Sequence, residues 1–163
     1  MKHLKSYNDS IRDRIEKDIV IVNINYIDYH GDEQKGILEV NRNIVDNVKG
    51  VFDELYQNNF PINKVDKSHQ RNDEDIIMDN ITTAYNFRFI MGTKKLSKHA
   101  EGYAIDLNPK VNPAKPSKIS HVYDESIEVG KITDDIVNIF KKWGFKWGGE
   151  IFGDFYDSHH FEI

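Results

Sequence analysis

The sequence predicts an α+β fold, a small single domain in which a mainly antiparallel sheet is flanked by helices. Runs of β-branched residues, typical of strands, and runs with helical periodicity occur in similar numbers along the chain. The predicted strands do not alternate regularly with helices, as they would in a parallel α/β sheet. The length of 163 residues suits one hydrophobic core. We assign residues 1–18 to an N-terminal arm or short helix and residues 19–163 to the domain.

The N-terminal part predicts a short helix followed by a β-hairpin. Residues 1–18 are polar and charged, and Ile11 and Ile15 lie four positions apart, as on one face of a helix. Residues 19–27 are β-branched and partly alternate between apolar and polar side chains, which predicts a strand. After a turn, residues 36–40 predict the returning strand of the hairpin.

A helix, a loop and a strand are predicted for the middle of the chain. Asn41 or Asn43 can cap a helix whose apolar stripe consists of Ile44, Val45, Val48, Phe52, Leu55 and Tyr56. Residues 63–80 are highly polar and predict a long surface loop. Residues 84–90 predict a strand that carries Arg88.

The C-terminal part predicts two further strands and one helix. Residues 102–107 alternate as a strand does, and residues 109–130 contain three prolines and little periodicity, which predicts an irregular excursion. Thr133 caps a predicted helix that ends at Lys142. A short strand over residues 160–162 closes the chain.

Composition excludes several kinds of function. The chain has no cysteine, which excludes disulfides, thiolate catalysis and cysteine-based zinc sites. The formal net charge of -5 and the lack of a basic stripe with interleaved aromatic residues argue against nucleic-acid binding. No apolar run is long enough to span a membrane, and the first residues lack the apolar core of a signal peptide.

The stretch from Ser97 to Asp106 carries the first candidate site residues. It places His99 and Asp106 seven positions apart with Gly102 between them. Gly102 and the alternation after it argue against a continuous helix, so we expect His99 on a loop, Gly102 at a bend and Asp106 in a strand. Taken alone, the stretch fits a metal-binding pair and a surface histidine with a turn-forming aspartate equally well.

The last residues of the chain supply further metal-binding side chains. Asp157, His159, His160 and Glu162 lie among large aromatic residues. A polar terminus whose aromatic residues merely pack is the alternative. Two imidazoles, one carboxylate and a spare acid match a catalytic zinc site, which needs three protein ligands, an open position for water and a base. The hypothesis requires that the two segments meet in space.

Three assignments near this segment have two interpretations each. His159 and His160 are adjacent, so on a strand only one of them points at a metal, and the other lies at the rim or is exposed. Glu162 either accepts a hydrogen bond from a ligand imidazole or is an unpaired terminal acid. Trp147 either lines a substrate groove or, like Trp143, belongs to the core.

Two patterns carry a family resemblance. They are Ser97-x-His99-x-x-Gly102-x-Ala104-x-Asp106 and Asp157-x-x-His160-Phe161-Glu162. Together they resemble the zinc peptidases of the D-alanyl-D-alanine carboxypeptidase and dipeptidase group, which includes VanY- and VanX-like enzymes and phage L-alanyl-D-glutamate endolysins. Further similar segments are Asp79 to Arg88, Gly92 to Ser97, Asp106 to Pro109 and Trp147 to Gly149. The resemblance covers about residues 19–163.

The resemblance implies a role for each of these residues. The ligands of one Zn²⁺ would be His99, Asp106 and His160. Asp157 would be the general base, Arg88 would bind the carbonyl or carboxylate of the substrate, and Ser97 would orient a ligand or the substrate. Trp147 would contact the substrate. Without the resemblance, a surface ion pair with one of the nearby acids is the simpler interpretation of Arg88.

The resemblance also implies the function. We expect a zinc metallopeptidase that hydrolyses bacterial cell-wall peptides as a D-alanyl-D-alanine carboxypeptidase does; cleavage within the stem peptide, as by an L-alanyl-D-glutamate endopeptidase, is the alternative. A non-catalytic zinc-bearing module that binds muropeptides is a second alternative, and the acidic balance argues against a metal nuclease. The partner would be a peptidoglycan stem peptide or muropeptide. We expect the protein to be a monomer. We also expect it to act extracellularly or at the cell wall, where export or phage-type release would deliver it.

Overall fold

A β-hairpin of two nine-residue strands is the most extended structure of the protein. The computed structural model describes residues 6–163, and in it strand β1 (Ile19–Ile27) pairs with the antiparallel strand β2 (Glu33–Asn41) along its whole length. The predicted first strand is confirmed, and the returning strand is longer than predicted. The side chains on the buried face are Val22, Ile24, Tyr26, Leu38 and Val40.

Helix α1 (Tyr7–Glu16) precedes the hairpin and lies within the predicted N-terminal arm. It begins with a capping box, in which Ser6 and Asp9 each accept a hydrogen bond from the other's backbone N–H. At the other end, Glu16 accepts a hydrogen bond of 2.9 Å from the Tyr85 hydroxyl, which ties the helix to the domain. The first five residues of the predicted arm lie outside the described part of the chain.

Helix α2 (Val45–Gln57) covers the buried face of the hairpin. A 3₁₀ turn (Arg42–Ile44) leads into it. Of the two residues predicted as caps, Asn41 caps this turn, because its side chain accepts a hydrogen bond from the Asn43 N–H. The helix residues that are at most 2% exposed are Val48, Val51, Phe52 and Leu55. Burial of such a side chain contributes roughly 1.5–3 kcal/mol, so this contact is a major part of the core.

The segment 63–80, predicted as a surface loop, contains regular structure. Strand β3 (Lys64–Val65) pairs in parallel with β4 (Ile81–Thr82), and helix α3 (Asp73–Met78) lies between them in sequence. Two side chains of α3 are buried, Ile76 and Ile77. The acidic residues that suggest a loop occupy the first turn of α3, where the helix dipole favours negative charge.

Residues 84–90 do not form the predicted strand. The Tyr85 N–H donates to the Glu39 carbonyl at 3.0 Å, and the Asn86 N–H donates to the His99 carbonyl at 3.1 Å. The Arg88 carbonyl accepts from the Ser97 N–H, and the Ile90 N–H donates to the Lys95 carbonyl. The backbone bonds are therefore divided between Glu39 and residues 95–99, and the single β-bridge that forms, between Phe89 and Leu96, is too little to make a strand.

Short antiparallel strands near the C-terminus make up two further sheets. Strands β5 (Ala104–Asp106), β9 (His160–Glu162) and β7 (Lys146–Trp147) form one sheet in the order β5–β9–β7. Strands β6 (Ala114–Lys115) and β8 (Tyr156–Asp157) form the other. The α+β class with mainly antiparallel strands is confirmed, although several small sheets replace the single predicted one.

Helix α4 (Asp134–Lys142) supports the three-stranded sheet. Phe140 stacks on Phe161 of β9 with ring centroids 3.7 Å apart, and neither side chain is exposed. Thr133 occupies the predicted cap position without a side-chain capping hydrogen bond. Because Phe161 directly follows His160, this stack holds the strand that carries His160.

Asn108 anchors the irregular excursion over residues 109–130. Its side-chain amide donates to the Pro61 and Gly130 carbonyls at 3.0 Å each, and its side-chain oxygen accepts from the Asn63 N–H at 3.0 Å. The residue is fully buried. The excursion has little regular structure, as predicted, but this network fixes both of its ends.

The helices are short. The longest, α2, has 13 residues. Within residues 6–163, no helix combines the length and apolar character needed to cross a membrane.

Gly102 offers a test of the local geometry beside His99. We expect Gly102→Ala to destabilise the protein more than Gly31→Ala, although φ is positive at both, +75° and +84°. A Cβ at Gly102 would lie 2.5 Å from Ile19 Cδ1 and 2.6 Å from the Asn41 backbone nitrogen, whereas nothing lies within 4 Å at Gly31. The left-handed conformation costs each variant about 1–2 kcal/mol, and overpacking adds roughly 1–3 kcal/mol at Gly102 alone. Urea unfolding measures the difference; equal losses would contradict the packing.

Candidate metal centre

Three side chains from separate segments converge on one point. His99 Nε2 lies 3.0 Å from Asp106 Oδ1 and 3.2 Å from His160 Nδ1, and the latter two atoms are 3.2 Å apart. A tetrahedral metal site with ligand bonds of about 2.0–2.2 Å has edges of about 3.3 Å between ligand atoms. The two predicted segments therefore meet, and the spacing of their three atoms suits one metal ion.

Backbone structure positions these side chains. His99 begins a 3₁₀ turn (His99–Glu101), and the buried Ser97 hydroxyl accepts a hydrogen bond of 3.0 Å from the His99 N–H. Asp106 lies directly opposite His160 in the β5–β9 pairing. The backbone N–H of Asp106 also donates to the Thr83 carbonyl at 2.9 Å. His99 thus lies on a loop and Asp106 in a strand, as predicted.

Hydrogen bonds fix which nitrogen of each histidine faces the centre. His99 Nδ1 lies 2.7 Å from the Ala84 carbonyl, which can only accept, so Nδ1 donates and Nε2 carries the lone pair. His160 Nε2 lies 2.8 Å from Glu162 Oε2, which leaves Nδ1 for a ligand. Of the two interpretations of Glu162, the structure supports the hydrogen-bonded one. Such partners orient metal-binding imidazoles.

The charges around the centre shift one another's pKa. Burial opposes protonation of His160, but hydrogen bonds to Asp106 and Glu162, together with the charges of Asp106 and Asp157, outweigh burial and raise the pKa of His160 to about 10. Burial opposes ionisation of Asp106, yet the neighbouring histidines hold the pKa of its carboxyl well below the usual range. The hydrogen bond from His160 lowers the pKa of Glu162. The surroundings therefore favour a positive charge at the centre.

The donor set fits a divalent metal such as zinc. Two imidazole nitrogens and one carboxylate oxygen are ligands that Zn²⁺ accepts in catalytic sites, where a fourth position stays open. His99 and His160 are buried at 3% and 7% exposure, and each has its second ring nitrogen paired. Buried lone pairs that face one another need a cation or a proton between them.

Asp157 ends strand β8 beside this group. Its side chain is 16% exposed, and its Oδ1 atom lies 3.1 Å from His159 Nε2. The two atoms are close enough for an ion pair, but their alignment is not that of a hydrogen bond, so Oδ1 has no hydrogen-bond partner among the described residues. Gly148 packs against this region, since a Cβ there would lie 2.5 Å from the Asp157 carbonyl oxygen and 3.0 Å from His160 Cβ.

His159 is not at the rim, and that prediction was wrong. The residue is 5% exposed, its Nδ1 lies 2.6 Å from the Asn112 carbonyl, and its Nε2 faces Asp157. The alternation argument fails because His159 lies in the turn before β9, where side chains of adjacent residues need not point to opposite faces. In the sequence, only the position of His159 between Asp157 and Glu162 indicates that it contacts an acid.

Arg88 forms the ion pair that the simpler interpretation expects. Its Nε atom lies 3.3 Å from Asp73 Oδ1 of α3, and the two side chains are 36% and 47% exposed. The backbone carbonyl of Arg88 accepts a hydrogen bond of 3.1 Å from the Ser97 N–H. This bond connects the segment that contains Arg88 to the segment that carries His99. The guanidinium itself is paired with α3.

Both tryptophans pack against the core. The Trp147 indole N–H donates to the Ser158 carbonyl at 2.9 Å, and the Trp143 indole N–H donates to Glu54 at 2.8 Å. Both side chains therefore contribute to the core, and Trp147 keeps part of its surface exposed. Because the indole N–H of Trp147 is hydrogen-bonded within the protein, only its ring surface is available to a ligand.

Comparison with known proteins supports the resemblance. A family model described as D-alanyl-D-alanine carboxypeptidase matches residues 91–163. The match contains all three side chains of the candidate metal centre and Asp157, but not residues 1–90, which include Arg88. Neither the curated proteins nor the solved structures contain a match. Residues 91–163, a little under half of the chain, are therefore similar in sequence to the D-alanyl-D-alanine carboxypeptidase family.

Proposed function

We propose that the protein is a zinc-dependent peptidase and that His99, Asp106 and His160 hold one Zn²⁺. The observation that carries the proposal is the convergence of these three ligand atoms at 3.0–3.2 Å, inside a segment of peptidase family sequence. A zinc ion held there would polarise a peptide carbonyl and lower the pKa of a water molecule.

Asp157 is the proposed general base. It lies three residues before His160, and its charge contributes to the raised pKa of that histidine, which reflects its proximity to the centre. In this role its carboxylate accepts a proton from the attacking water and then donates it to the leaving amine. Its partial burial keeps the carboxylate close to the reacting groups and limits its contact with bulk water.

Ser97, Trp147 and Arg88 have supporting roles in the proposal. Ser97 orients His99 by accepting the hydrogen bond from its backbone N–H. Trp147 offers a ring surface to the substrate. Arg88 binds a carbonyl or carboxylate of the substrate, and for this its ion pair with Asp73 has to open. A solvent-exposed ion pair of this kind contributes only about 0–1 kcal/mol to stability, so Arg88 can leave Asp73 for the substrate at a small cost in free energy.

The proposed substrates are peptides of the bacterial cell wall. The description of the matching family supports removal of a terminal D-alanine, and cleavage within the stem peptide is the alternative. The two activities yield different products, free D-alanine or a shortened stem peptide. An extracellular or wall-associated location is part of the same proposal, because the substrate lies there.

The direct test is hydrolysis of purified peptidoglycan and of a synthetic peptide that ends in D-alanyl-D-alanine, with products identified by mass spectrometry. We expect the zinc-loaded wild type to release product, and Asp157→Asn to lower kcat about 10²–10⁴-fold because the base is lost. Zinc stoichiometry should stay at one ion per chain. The control is Asp154→Asn, an exposed aspartate three residues earlier. Equal rates for wild type and Asp157→Asn would contradict the assignment.

Metal affinity should depend on pH. Below its pKa of about 10, His160 is protonated in the metal-free protein. A metal that binds at His160 Nδ1 therefore displaces a proton. Apparent affinity should then rise about tenfold per pH unit near neutrality. Calorimetry in buffers of different ionisation enthalpy measures the proton released.

Glu162→Gln is the matched variant for this measurement. It removes one of the carboxylates that raise the pKa of His160, so as the pH rises the release of a proton should cease at a lower pH than in the wild type. An affinity that does not change with pH in the wild type would show that the metal does not bind at His160.

A further inference from the structure

We propose that His159 is a positioning residue that holds the Asp157 carboxylate in the orientation needed for proton transfer. This inference rests on the proposed function, in which Asp157 is the general base. His159 is distinct from the three proposed ligands, and its Nε2 atom lies between two carboxylates, 3.1 Å from Asp157 Oδ1 and 3.9 Å from Asp106 Oδ2.

The imidazole of His159 is rigidly held. Its Nδ1 donates to the Asn112 carbonyl, since a carbonyl oxygen can only accept, and the distance is 2.6 Å. Asn112 is itself fixed, because its side-chain amide donates to the Asn108 carbonyl at 3.0 Å and the Gly130 carbonyl at 3.1 Å. Its side-chain oxygen accepts from the Ile132 N–H at 2.9 Å. The orientation of the ring is therefore set by the anchored excursion.

The other ring nitrogen is directed at the base as a consequence. With Nδ1 committed to Asn112, only Nε2 faces the two carboxylates. The Tyr123 ring lies 6.2 Å from the His159 ring and helps to enclose it. Burial of the Tyr123 hydroxyl, reinforced by the charges of Asp157 and Asp106, raises its pKa to about 12.

Asp157 needs such a partner. Its Oδ1 atom is buried and has no other polar contact that satisfies it among the described residues. An N–H at His159 Nε2 can donate to Asp157 Oδ1 and close the contact as a hydrogen bond, which leaves Asp157 as a carboxylate able to accept a proton. Oδ1 is then held, and Oδ2 is left free for the attacking water. The contact with Asp106 at 3.9 Å further limits how far the ring can move.

The inference predicts an effect on kcat without an effect on substrate or metal binding. We expect His159→Leu to lower kcat about 10–100-fold, as loss of an outer-shell partner does. KM and zinc affinity should remain within about threefold of wild type. His159→Gln, whose amide can donate to Asp157, should recover most of kcat. The control is His121→Leu, which removes an exposed histidine paired with Glu74.

A double-mutant cycle separates positioning from general packing. If His159 acts through Asp157, His159→Leu should cost little further activity in the Asp157→Asn background. A full additional loss there, or an unchanged kcat in the single variant, would overturn the inference. Circular dichroism and thermal melting check that each variant folds; if His159→Leu does not fold, the comparison is made with His159→Gln and His159→Met.

A structural measurement keeps the test independent of the proposed activity. In crystal structures of zinc-loaded wild type and His159→Leu, the Asp157 side chain should change rotamer or become disordered only in the variant. An Asp157 carboxylate that stays in place without His159 would overturn the inference even if the enzyme is active. A wild type that binds zinc but cleaves no peptide would overturn the proposed function alone, and the crystal structures would still decide whether His159 holds Asp157.

Discussion

The antiparallel pairing of β5 with β9 is the constraint on which the candidate centre depends. It places Asp106 directly opposite His160, and the Phe140–Phe161 stack in the core holds the register. A shift of one strand by one residue would place the two side chains on opposite faces of the sheet. The loop that carries His99 completes the group because the Ala84 carbonyl and the Ser97 hydroxyl hold the histidine from two sides.

Several carboxylates surround this strand pairing and act on one histidine, His160. Asp106, Asp157 and Glu162 all lie within the electrostatic influence of His160, and together they raise its pKa despite its burial. A buried cluster of carboxylates and imidazoles of this kind favours a bound cation. The polar network of Asn108 and Asn112 anchors the excursion that encloses the same region, so the irregular backbone contributes to the rigidity of the centre.

Local patterns predicted the hairpin, the α2 stripe and the loop-to-strand transition at His99 and Asp106, because each depends on neighbours in sequence. The predicted strand over residues 84–90 failed because its backbone bonds are divided between Glu39 and residues 95–99, and only one β-bridge forms, between Phe89 and Leu96. The interior position of His159 could not be predicted, since it depends on the Asn112 carbonyl, 47 residues away. The role of Arg88 came from the resemblance alone, and its contact with Asp73 follows from a helix that the polar composition of residues 63–80 concealed.

The central claim is that one metal ion joins His99, Asp106 and His160, and anomalous diffraction at the zinc edge tests it most directly. A crystal of the zinc-loaded protein should show a single strong peak about 2.0–2.2 Å from His99 Nε2, Asp106 Oδ1 and His160 Nδ1. Glu162 and the Ala84 carbonyl should keep their hydrogen bonds to the two histidines. A zinc peak elsewhere on the protein, or none at this group at saturating zinc, would contradict the account.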